Sequence, residues 1–137
     1  MIFLDTNVVS EVMRPKPTPA VVDWLERNDS ELALSAVVIG EISFGIERIR
    51  HEERAPRLAK TLLKLRKHYV GRIQAFDEES AEIYGEIMGV ASRKGITVQA
   101  PDGMIAAITL HHRATLATRN VKDFEGMGVK LINPWES

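Results

Sequence analysis

The 137-residue chain contains no cysteine. That excludes a disulfide scaffold, cysteine-ligated zinc, iron–sulfur ligation and thiol catalysis. Aromatic residues make up only 6% of the chain, so a row of rings for stacking nucleic-acid bases is not evident. No apolar run approaches the ~20 residues of a membrane-spanning helix. The start carries no basic region and Asp5 interrupts its one apolar run, so no signal peptide is expected. The cytoplasm is the expected compartment, with no membrane partner. What is present fits an ordinary globular chain: 45% apolar and 27% charged residues. A chain of this length forms one domain, residues 1–137, and buries enough surface to need no staples.

Neither sign of charge dominates, and the formal net charge is −1. The near-balance hides an asymmetry. Residues Arg48 to Arg72 carry a net +7, so the remainder sums to −8. Such a division bears on partners and not on fold.

Short apolar runs alternate with helical patterns. Ile2-Phe3-Leu4 reads as a buried strand ended by Asp5, with Asn7 as the expected cap of the next helix. Thr18-Pro19 opens a second helix whose face is Val21, Val22, Trp24 and Leu25. Leu32-Ala33-Leu34 is a strand, and Ser35 caps a helix to about Ile49. From Arg54 to Tyr69, Leu58, Leu62, Leu65 and Tyr69 form one apolar stripe, and Arg57, Lys60, Lys64 and Lys67 a basic one. Arg72 to Phe76 alternates like a strand. Asp77 caps a helix with Ala81, Tyr84, Met88 and Ala91 on its buried face and Gly95 as its stop. A helix from Pro101 to His112 and strands at Thr115–Thr118 and Val129–Ile132 complete the chain. The alternation predicts an α/β domain around a parallel sheet.

Four acids sit in unusual surroundings. Asp5 follows an apolar strand, and Glu41 lies within Val37-Val38-Ile39-Gly40-Glu41-Ile42. Asp102 opens an apolar helix, and Asp123 lies just past the strand that ends at Thr118. Read singly, each has a structural explanation: Asp5 and Asp102 as helix-start acids, Glu41 as a partner of Arg48, Asp123 as a loop residue. Read together, they sit where parallel sheets bind ligands, beyond the carboxyl ends of the strands. Carboxylates crowded into one pocket cannot all stay ionised unaided. Hard divalent cations such as Mg²⁺ or Mn²⁺ relieve that repulsion and support phosphodiester hydrolysis.

Phe3-Leu4-Asp5-Thr6-Asn7-Val8-Val9-Ser10-Glu11 resembles the opening of PIN-domain ribonucleases, specifically VapC-type toxins of the FitB-like branch. Ser35 to Gly45 resembles their second motif, Ala100 to Ala107 the third, Thr118 to Phe124 the fourth, and Asn133-Pro134-Trp135 the usual ending. The resemblance implies a three-layer fold, a central parallel sheet with helices on both sides. It implies a Mg²⁺- or Mn²⁺-dependent endoribonuclease toxin, a homodimer, and neutralisation by a cognate antitoxin. Asp5, Glu41 and Asp102 become the acidic metal-site core, with Asp123 a further catalytic acid. Thr6, Asn7, Thr118 and Asn120 support them. Asn120 stands where relatives often carry an acid, so either Asn120 or Asp123 fills the fourth position. For RNA, the basic stripe Arg57, Lys60, Lys64 and Lys67 is a candidate contact, with Arg14 and Lys16 as a second.

Rival readings are a non-catalytic interaction module, a phosphotransfer receiver and a haloacid-type phosphatase. The receiver wants paired acids and a later lysine. The phosphatase wants an acid at position 7, where Asn7 stands. The four histidines show no metal-ligand spacing and receive no role.

Overall fold

Each strand is a short apolar run stopped by a residue that turns or caps the chain. In the computed structural model, which describes residues 1–137, β1 (Ile2–Leu4) is followed by α1 (Thr6–Val12) and α2 (Pro19–Asn28). Next come β2 (Leu32–Ser35), α3 (Ala36–Arg48), α4 (Ala55–His68) and β3 (Ile73–Gln74). The chain continues through α5 (Glu78–Arg93), α6 (Ala100–His111), β4 (Thr115–Ala117) and β5 (Lys130–Ile132). Short 3₁₀ turns lie at Asp29–Glu31 and Val121–Phe124.

The strands form one sheet in the order β3-β2-β1-β4-β5, and every neighbouring pair is parallel. Six helices flank the sheet. From β1 the chain winds outward through β2 to β3, then returns across to β4 and β5. Right-handed crossovers therefore put α1 to α4 on one face and the packed α5–α6 pair on the other. The winding direction reverses between β1 and β4, which opens a crevice at their carboxyl ends. The core lies on both faces: Phe3, Leu34 and Leu116 from the strands, Val8, Val21, Trp24 and Val38 from one helical layer, Ile105 and Ile108 from the other.

Four local expectations are corrected. The cap of α1 is Asp5 and not Asn7: the Asp5 side chain accepts the Thr6 N–H, and Asn7 lies inside the helix. Its side chain turns instead toward β4, as described below. The strand expected over Arg72–Phe76 shrinks to Ile73–Gln74, because β3 is an edge strand with a partner on one side only. Along α5 the buried face starts one residue earlier: Ser80 is fully buried while Ala81 is exposed, and Tyr84, Met88 and Ala91 face inward as expected. Thr18 stands at the cap position of α2, but its hydroxyl donates to Glu11 and not to its own helix.

Gly95 does the job its position suggested. It adopts φ +69°, a left-handed conformation that costs other residues a steric penalty, and the Ile96 N–H returns to the Ala91 carbonyl at 2.8 Å.

Candidate active site

The turn after β1 and the turn after β4 are stitched together at the crevice. The Asp5 N–H reaches the Ala117 carbonyl at 2.9 Å. The Asp5 carboxylate is 4% exposed and accepts from three donors. The Thr6 N–H lies 2.8 Å from Oδ1, and the Thr118 hydroxyl 2.8 Å and the Asn7 amide 3.1 Å from Oδ2. Thr118 Oγ1 in turn accepts from the Asn120 N–H at 3.1 Å and the Asn7 amide at 3.3 Å. The Asn7 side-chain oxygen Oδ1 accepts the Arg119 N–H at 3.2 Å. Asn7 has left the capping role to Asp5 and bridges two strand ends instead.

The second acid arrives from α3. Glu41 lies two turns into a helix capped by Ser35, whose hydroxyl accepts the Val38 N–H at 3.2 Å. There its carboxylate accepts the Thr6 hydroxyl at 2.5 Å. Arg48, the alternative partner, lies over the Phe44 ring at 5.8 Å. Asp102 comes from the first turn of α6, and Asp123 from the 3₁₀ turn after β4.

Asp5, Glu41, Asp102 and Asp123 all line one cavity of about 500 Å³. Thr6, Asn7 and Asn120 line it as well, and no apolar side chain does. Thr118 is fully buried behind Asp5.

Electrostatics follow from the crowding. Burial pushes Asp102 up to about 6, and the nearby Asp5, Asp123 and Glu41 carboxylates add to the rise. Burial also raises Asp5, against the opposing effect of its hydrogen bonds from Thr118 and Thr6. The group accumulates negative charge that only a cation or protonation relieves.

Two lining residues went unassigned as site residues in the sequence, Ser10 and Glu11, and Arg14, named there as a candidate RNA contact, stands on the same wall. Glu11 is buried, and its carboxylate accepts the Thr18 N–H at 2.9 Å and the Arg14 guanidinium at 3.0 Å. The signal was present, since positions 7, 10, 11 and 14 share one face of a helix. The basic stripe is placed differently. Arg57 lines an adjoining cavity of about 290 Å³ that shares Thr6, Ser10, Arg14 and Glu41 with the acidic one, whereas Lys60, Lys64 and Lys67 line neither. Those three lysines are exposed along α4.

Comparison with known proteins now adds to the geometry. The PIN domain family model matches residues 2–129. This chain belongs to the PIN-domain family. The PIN domain is 39% identical to Toxin FitB of Neisseria gonorrhoeae, over 98% of this chain and 99% of FitB. It is 36% identical to VapC ribonuclease Y4jK of Sinorhizobium fredii, over 99% of each chain. The solved structure of FitAcB from Neisseria gonorrhoeae superposes with a TM-score of 0.90 at 37% identity, covering 100% of both chains. The family expectation and the parallel α/β fold therefore hold.

Proposed function

We propose that this PIN domain, read as one unit over residues 1–137, is a metal-dependent endoribonuclease. We further propose that it is the toxin of a toxin–antitoxin pair. The observation that carries the reading is the polar cavity at the β1/β4 switch point, where four carboxylates from four separate chain segments converge. The relatives support it by name: FitB is a toxin, and Y4jK a ribonuclease. A solved relative from Klebsiella pneumoniae, with a TM-score of 0.67 at 26% identity, is a toxin–antitoxin complex.

The residues fit a hard divalent cation. The donors are oxygens throughout, and burial with mutual repulsion already strains Asp5 and Asp102. No three of the four acids bring oxygens within 4.8 Å of one another, so an ion bound here draws the side chains inward or meets part of the set through its own waters. Mg²⁺ is the cation of choice, with Mn²⁺ as its substitute. Asp5, Glu41 and Asp102 hold it. When bound, such a cation polarises a phosphoryl oxygen and acidifies water.

The chain's own groups do the rest. Thr118, Thr6 and Asn7 lock the Asp5 carboxylate in one orientation, and the Thr6 hydroxyl does the same for Glu41. Asp123, exposed at the rim, accepts the proton of the attacking water, with Asn120 beside it as a neutral polar group. Arg14 and Arg57 offer phosphate contacts beside the acids, and Lys60, Lys64 and Lys67 extend that path along α4. Ile87, Val90 and Met127 line an open groove of about 630 Å³ together with Asp102 and Asp123, so it opens onto the acids; a homodimer is the assembly we expect.

The test is cleavage of RNA by the purified protein with Mg²⁺, followed by sequencing of the cut ends. Cuts should appear, vanish with EDTA, and fall by ~10²-fold or more in Asp102→Asn. An RNA left whole by the wild type under Mg²⁺ and Mn²⁺ favours the interaction-module reading instead.

A further inference from the structure

A second set of donors converges away from the acidic cavity. Asp77 caps α5, Glu79 lies in its first turn, and His111 ends α6. One ligand atom from each lies within 4.8 Å of the other two. The Asp77 carboxylate is held by the Ser80 N–H, 2.9 Å from Oδ1, while Oδ2 stands 3.3 Å from His111 Nε2. That separation is longer than the ~2.7–2.9 Å of a charge-assisted hydrogen bond. It matches the edge of a tetrahedron built on metal–ligand bonds of about 2.0–2.1 Å, which is about 3.3 Å.

A separate observation points the same way. Ser80 Oγ is the one buried side-chain polar atom in the molecule without a hydrogen-bond partner, and Ser80 is fully buried. Its N–H already holds Asp77 Oδ1, so the free hydroxyl belongs to the residue seated against that carboxylate. A buried donor behind a carboxylate is the outer-shell partner that orients a metal ligand. His112 is occupied elsewhere, with its ring packed between His111 and Phe3.

We propose that Asp77, Glu79 and His111 form a binding site for a zinc-class divalent transition metal. The imidazole nitrogen selects zinc, cobalt or nickel over magnesium and calcium. Three protein ligands leave a position for water. The site is at the opposite end of α6 from Asp102, ~13 Å away along the helix axis. A metal there ties the start of α5 to the end of α6 and braces the helix that carries Asp102. The inference does not depend on the ribonuclease reading.

The experiment is titration of the whole protein with Co²⁺ in excess Mg²⁺, read by visible absorption and back-titrated with Zn²⁺. One Co²⁺ per chain should bind with the intense bands of a low-coordinate site, be displaced by Zn²⁺, and bind equally well to Asp5→Asn. His111→Ala and, at an exposed position, Glu79→Gln should each weaken it by at least the ~10-fold that loss of an outer-shell partner already costs. Circular dichroism melts without metal should match the wild type, confirming that both variants fold. Unchanged Co²⁺ affinity in either folded variant, loss of binding in Asp5→Asn, or no such site in the wild type overturns the proposal.

Discussion

Asp102 and Glu11 line the same cavity and titrate in opposite senses. Burial raises Asp102 to about 6, so between about pH 4 and pH 6 the folded chain holds a proton that the unfolded chain releases. Stability in the absence of metal therefore falls as pH rises through that window, and Asp5 acts in the same direction. The Thr18 N–H lowers Glu11, so its contribution is present above the unfolded carboxyl range and is lost as pH falls. Removing the raised acid should then stabilise the protein while removing activity. Asp102→Asn is expected to melt a few degrees above the wild type at pH 7.5 in EDTA by calorimetry. A lower melting temperature contradicts the electrostatic reading. The acids themselves were legible in the sequence because carboxylates embedded in Val, Ile and Leu demand an explanation. The role of Asn7 was not, because its partners Thr118 and Arg119 lie more than a hundred residues away.

At the scale of elements, the approach of α5 to α6 decides where Asp102 stands. Gly103, its neighbour, is buried, and a Cβ there meets Met88 Sδ at 2.8 Å and the Tyr84 ring at 3.0 Å. Gly103→Val forces those side chains apart and is expected to cost about 1–3 kcal/mol by urea unfolding. Its cleavage rate should fall as well, because Asp102 moves with the helix. An unchanged midpoint shows that the close approach is not needed. Most elements were readable from periodicity: the stripe Leu58, Leu62, Leu65 and Tyr69 does pack on the core. What periodicity does not carry is phase against a neighbour. Whether Ser80 or Ala81 turns inward depends on where α6 lies, and whether Arg72 and Phe76 join β3 depends on how much of β2 is left to pair.

For the whole molecule, the division of charge has a measurable consequence. The net +7 between Arg48 and Arg72 lies largely on α4 and its flanks, while the cavity at the sheet edge is acidic. If RNA phosphates follow that path, Lys60→Glu with Lys64→Glu weakens binding and reduces the slope of log affinity against log salt by roughly one to two, at ~0.7 per contact on single strands. A slope equal to that of the wild type removes α4 from the RNA path. The sheet order was not readable from composition or motif. Yet it is the order β3-β2-β1-β4-β5 that sets Asp5 beside Thr118, and so makes one site of segments scattered along the chain. The most direct measurement is an anomalous difference map from crystals of the protein soaked in Mn²⁺. The expected result is a peak between Asp5, Glu41 and Asp102, absent in crystals of Asp5→Asn. A map with no peak in that cavity, or with one only at Asp77, Glu79 and His111, contradicts it.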